Sequence, residues 1–183
     1  MAKIEIGNKM AAHAYIYRTP MKNSEMRQQL VQLGNGAHAL ATQILGNADE
    51  AQDAVHDSFL KVFSRPHAYQ AGYGPLAPWF LRLVRNHCID LIRRRKPQDG
   101  DLDALVDPMP GPEKTLQIAQ RDNELRRALE KLSDAQRQII VLKDYMDMNY
   151  AEIAQVLEIA PGTVMSRLHR SRMALKEELE RHG

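Results

Sequence analysis

The chain of 183 residues has room for one medium domain or two small ones. Apolar residues make up 44% and charged residues 26%, and no apolar run approaches the roughly 18 residues of a membrane span, so direct membrane insertion is not expected. A single cysteine, Cys88, excludes an intramolecular disulfide and any cysteine-pair zinc site and points to a reducing, cytoplasmic setting. The net charge of +2 conceals unlike parts. Residues 21–96 carry ten basic and six acidic side chains, whereas residues 97–124 carry two and seven. A basic segment followed by an acidic connector raises the expectation of a nucleic-acid partner.

In chain order, residues 1–20 read as an arm outside the fold and are the least legible stretch. Residues 21–96 show helical apolar periodicity throughout. A helix is expected from Asn47, where Asn47 and Glu50 have capping-box spacing. Ala51, Val55, Phe59 and Val62 form its inward stripe. Opposite lie Glu50, Asp53, Asp57 and Leu60, an acidic strip with an apolar residue beside it. Such strips are usually solvated faces, but Leu60 favours a docking surface for basic side chains.

The loop 65–78 holds Tyr69, Tyr73 and two glycines, compatible with holding an unstacked base or with packing down on its own domain. The following helix, 78–96, buries Ala77, Phe80, Val84, Cys88 and Leu91. Its other face carries Trp79, Arg82, Asn86, Ile89, Asp90 and Arg93 and ends in a run of cations. An aromatic ring can stack on a base, an amide can pair with a base edge, and guanidinium groups hold phosphates. Trp79 fits equally well as packing beneath the loop. Residues 97–121, with several prolines and aspartates, read as a flexible acidic linker that cannot bury a core.

Residues 122–183 read as a second helical module. Ser133–Gln136 and Asn149–Glu152 are two further capping-box spacings. The run QIIVL at 138–142 is expected within a helix of about twelve residues, judged by length and by the cap before it. Tyr150, Ile153, Ala154 and Leu157 mark a short amphipathic helix, Glu158–Gly162 a tight turn, and Val164, Leu168, Ser171 and Leu175 the inward stripe of a second. Met165, Ser166, His169, Arg170 and Met173 point away from the core. From Pro161 to Lys176 there are four cations and no carboxylate. This is a helix-turn-helix whose second helix suits DNA: polar side chains for base edges and arginines for phosphates. The fold class expected is all-α, two small helical domains joined by the linker.

These pieces in this order resemble an extracytoplasmic-function sigma factor. ILGNADEAQDAVHDSFLKVF is similar to the family's core-polymerase-binding segment, and PWFLRLVRNHCIDLIRRRKP to its minus-ten segment. LSDAQRQIIVLKDYMDMNYAEIAQVLEIAPGTVMSRLHRSRMALKEEL is similar to its minus-thirty-five domain. The resemblance implies that Glu50, Asp53, Asp57 and Leu60 dock on core RNA polymerase. It implies that Arg82, Asn86, Asp90 and Arg93 bind the minus-ten region of promoter DNA, with Trp79 stacking or supporting the 65–78 loop. Met165, Ser166, Arg167, His169 and Arg170 would read the minus-thirty-five element. Asp90, acidic on a DNA face, would read a base amino group or orient Arg93 or Arg94. The family is commonly held inactive by an anti-sigma factor, a further expected partner.

RNA synthesis would be the polymerase's chemistry, so no catalytic residue, metal or cofactor is expected. Seven scattered histidines show no metal-ligand spacing, and there is no phosphate-binding glycine loop. The competing reading is a stand-alone helix-turn-helix regulator that binds duplex DNA unaided.

Overall fold

The computed structural model describes residues 23–65, 68–70, 74–95 and 124–182, and every regular element among them is helical. The helices are α1 (Asn23–Gln32), α2 (Gly34–Leu45), α3 (Ala48–Ser64) and α4 (Leu76–Arg95), then α5 (124–130), α6 (Asp134–Ile140), α7 (Tyr150–Leu157) and α8 (Pro161–His182). α6 runs on without a break into a π-helical turn, Val141–Tyr145. The expected arm 1–20 and linker 97–121 lie outside the described residues.

The local signals act as their chemistry requires. Asn47 caps α3, its Oδ1 accepting from the Asp49 and Glu50 backbone N–H groups at 2.9 and 3.1 Å. Glu50 does not close the box; its carboxylate turns to Arg95 at the far end of α4. The other two boxes close. The Ser133 N–H donates to Gln136 Oε1 at 2.9 Å. Asn149 and Glu152 exchange two bonds of 3.0 Å. Removing the second cap should be felt: Asn149→Ala is expected to cost about 1 kcal/mol, lowering the thermal midpoint by roughly 2–4 °C.

α2 ends at Gly46, whose φ of 72° is a left-handed conformation that glycine adopts without strain. QIIVL falls within a helical run from Asp134 to Tyr145, close to the length expected. The switch to π hydrogen bonding was not legible. There the Met146 N–H donates to Val141 O at 3.0 Å, and the extra residue per turn pushes Met146 out towards α2.

One buried apolar cluster joins both halves of the chain. Leu30, Leu40, Phe80 and Leu81 fill its first half, and Ile139, Leu142, Ile153 and Leu168 its second. The inward stripes of α3, α4 and α8 are buried or partly buried as expected. In α7 the stripe needs correction. Tyr150, expected inside, is 40% exposed, and Val156, outside the expected stripe, is fully buried. The reason is that α7 packs on two sides, against α8 and against α4, so a wider arc is buried and the first residue is left at the open end.

Cys88 is buried in the α4 face of the core, and burial pushes its thiol up to about 11. At neutral pH it should hold about a hundredfold less thiolate than an exposed thiol. A thiol reagent is therefore expected to label the folded chain slowly and the denatured chain at once.

Candidate functional site

Three exposed faces stand at the positions expected from the sequence. On α3, Asp53 and Asp57 are exposed and Leu60 is 53% exposed, an outlying apolar side chain beside two carboxylates. Glu50 shares this face but is half-buried and engaged by Arg95. The four residues therefore lie together with unequal freedom: three meet solvent, while the fourth ties α3 to the basic end of α4.

Behind this strip lies His87, a residue the sequence reading missed. Lys61 Nζ donates to His87 Nδ1 at 2.9 Å, and His87 Nε2 stands 3.5 Å from Asp57 Oδ2. A lysine ammonium can only donate, so Nδ1 is the acceptor and the imidazole proton sits on Nε2, facing the carboxylate. Burial, then the Lys61 ammonium, holds the His87 pKa below its ordinary value, against the opposing pull of Asp57. His87 thus stays neutral at pH 7 and buttresses Asp57. The Asp57–Lys61 spacing of four residues was the one signal that could have drawn attention to the pair.

On α4, Asn86, Asp90 and Arg93 are exposed and Arg82 is half-buried. Asp90 Oδ1 lies 3.7 Å from Arg93 Nη1, the orienting arrangement rather than an isolated acid. Trp79 is partly buried and packs on the core, its ring centroid 5.2 Å from that of Tyr69 in a tilted pair. Of its two expected placements, the ring takes the one beneath the loop. Tyr69 is itself 8% exposed, and its hydroxyl donates to Gly74 O at 2.8 Å. This ring too is turned inward, and Tyr73 lies outside the described residues.

The third face belongs to α8. The turn before it is made by Glu158, in the left-handed region at φ 55°, with its N–H bonded to Ala154 O; Pro161 then opens α8 where no N–H is needed. Met165 is 63% exposed, and Ser166, Arg167, His169 and Arg170 are exposed. Ser166 Oγ donates to Thr163 O at 3.0 Å, and Arg170 Nε donates to Ser166 O at 3.3 Å. The cations of this helix are not all free. Asp144, in the π turn, forms an ion pair with Arg172, raising the arginine's pKa through its hydrogen bond. No window of the α8 sequence contains that acid. Arg172 is thereby directed to the protein, whereas Arg167 and Arg170 stay exposed on the outer face.

An acidic strip with an exposed leucine, a basic amide-bearing helix face and a helix-turn-helix stand in one chain, and comparison with known proteins identifies the domains that carry them. Residues 30–98 match Sigma-70 region 2, and residues 122–175 match Sigma-70, region 4. The chain is 31% identical to the ECF RNA polymerase sigma factor SigW of Bacillus subtilis, over 78% of this chain and 82% of that protein. It is 32% identical to the ECF RNA polymerase sigma factor SigE of Mycolicibacterium smegmatis, covering 80% of this chain but 58% of that longer relative. Among solved structures, the sigma factor RpoE of Bartonella quintana, in complex with the anti-sigma factor NepR, superposes with a TM-score of 0.72. That match has 26% identity and covers 84% of this chain and 96% of RpoE. The chain belongs to the extracytoplasmic-function sigma factors of RNA polymerase.

Proposed function

We propose that the chain binds core RNA polymerase and directs it to a particular set of promoters by reading a minus-ten and a minus-thirty-five element. The observation that carries this reading is the presence of both sigma regions, each with its functional face exposed. Asp53, Asp57 and Leu60, with Glu50 at their edge, receive basic and apolar side chains of the polymerase. Asn86 and Arg93, with Arg82 and the Asp90 carboxylate that orients Arg93, engage the minus-ten strand, and Trp79 acts by supporting the loop ahead of them. Met165, Ser166, Arg167, His169 and Arg170 enter the major groove at minus-thirty-five. RNA synthesis remains the polymerase's chemistry, and the chain supplies specificity.

The regulon is a stress or signal response, and the protein works in the cytoplasm. None of its described helices is long and apolar enough to cross a membrane. An anti-sigma factor is its expected antagonist, as in the RpoE–NepR complex that it resembles. The same module boundaries follow: residues 21–96 as the polymerase and minus-ten module, 97–121 as linker and 122–183 as the minus-thirty-five module.

Run-off transcription with core polymerase on a pool of genomic fragments tests this directly. Initiation that depends on the chain is expected, together with weak and salt-sensitive binding to duplex DNA alone. Nanomolar specific binding without polymerase, and no initiation from any fragment, would restore the stand-alone regulator, a reading that two matched sigma regions do not favour.

A further inference from the structure

We infer that His87 makes core-polymerase docking sensitive to acid: it is a positioning residue whose protonation turns Asp57 from a docking carboxylate into half of an internal ion pair. This rests on the proposed reading of the α3 strip. His87 projects from α4 with its side chain 12% exposed, whereas the Asp57 side chain in front of it is 58% exposed. The imidazole therefore sits behind the strip and meets it at one carboxylate.

The geometry defines two states. In the neutral state Lys61 Nζ donates to His87 Nδ1 at 2.9 Å, and the proton on Nε2 faces Asp57 Oδ2 at 3.5 Å. Nε2 is closed to water, so Asp57 is the acceptor in front of it. That contact is long and the ring carries no charge, so the carboxylate keeps its negative charge for a basic side chain of the polymerase. An added proton goes to Nδ1, the ring nitrogen that bears the lone pair. There it meets the Lys61 ammonium, a second donor, and the bond to Lys61 breaks. The imidazolium draws Asp57 into a charge-assisted bond. The released Lys61, four residues on along α3, lies within reach of the same carboxylate. Asp57 then faces cations of its own chain, and the polymerase loses the charge it was to meet.

The charged groups that act on His87 come from two helices. Lys61 and Asp57 belong to α3, and Arg94 lies seven residues further along α4. Helices α1, α2 and α7, which also pack on α4, bring none to bear among the described residues. Burial first, then Lys61, hold the His87 pKa below its ordinary 6.5, with Arg94 adding to them and Asp57 opposing. Docking is therefore intact above pH 6.5 and weakens as pH falls through the lower value of the folded chain. Because the fold prefers the neutral ring, some folding stability is lost over the same window. A melt at each pH keeps the two effects apart.

The affinity of the full chain for core polymerase, followed by fluorescence anisotropy from about pH 7.5 to about pH 5.5, tests the switch. The unsubstituted chain is expected to bind about fivefold more weakly in acid, the size of one compensated interface charge, while its melt shows it folded throughout. His87→Gln can accept from Lys61 and donate to Asp57 without titrating, and should bring the ratio of acid to neutral affinity close to one. Lys61→Met removes a cation that depresses the His87 pKa, and should move the loss to higher pH. His56 is exposed on α3 one residue before Asp57, and His56→Gln should leave the acid loss in place. An equal loss in His87→Gln, a loss abolished by His56→Gln, or an unmoved midpoint in Lys61→Met overturns the switch. So does unchanged affinity of the unsubstituted chain across the series. If that chain binds core polymerase at no pH, the docking reading itself falls, and the switch with it.

Discussion

Reversing the docking strip on α3, with Asp53→Lys and Leu60→Asp together, is expected to abolish core-polymerase binding while leaving the fold intact. Both side chains are exposed, and exposed substitutions of this kind usually change stability by less than about 0.5 kcal/mol. At a polymerase interface the same changes remove an apolar anchor and replace an attraction by a repulsion. Losses of that type commonly reach about 3 kcal/mol, or on the order of a hundredfold in affinity. Pull-down of core polymerase and run-off transcription should fall together, and a thermal melt should not move. Retention of polymerase binding would show that the strip is only a solvated face. Asp57 is the poorer site for this test because His87 and Lys61 lean on it, and its reversal would disturb the seat of α4 on α3.

The second large effect separates the two DNA faces. Asn86→Ala should reduce initiation by about 10-fold or more, the worth of a good amide–base pair at roughly 1–3 kcal/mol. That loss should vanish on promoters already mutated at the minus-ten position that it reads. Arg170→Ala should behave the same way at minus-thirty-five and be indifferent to minus-ten changes. A matrix of two protein variants against two sets of promoter mutants measures this. Equal losses on every promoter would assign both residues to phosphate contact or to folding, and the base-reading roles would fail. Asn86 is exposed, and its amide oxygen accepts only a long 3.4 Å contact from its neighbour Arg85, so the loss should appear in initiation rather than in folding.

Much of this was readable from periodicity because a helix at a core boundary must repeat its apolar residues at the helical period. The α3 and α4 stripes, the helix-turn-helix and two complete capping boxes followed from local chemistry alone. So did the exposure of Asp53, Asp57, Asn86, Asp90, Arg93 and the α8 face. Trp79 shows where the pattern runs out. A ring on the outer side of α4 suits stacking or packing equally, and only Tyr69, ten positions earlier, selected packing. The charge count on α8 shows the same limit. Its cations looked unopposed until Asp144, from another helix, arrived beside Arg172.

By itself the sequence determined an all-helical chain, the faces that helices α3, α4 and α8 turn to solvent, and the family to which it belongs, because each depends on residues within a few turns of one another. The tertiary structure decided what happens between distant segments. It tied Glu50 to Arg95, set a neutral His87 behind Asp57, lifted Met146 over Gly36 by a π turn and joined two apparently separate modules through Arg85. Helical periodicity records which side of a helix avoids water. It does not record which neighbour excludes the water, and that choice brought Arg93 of α4 and Arg167 of α8 to the edges of one cavity.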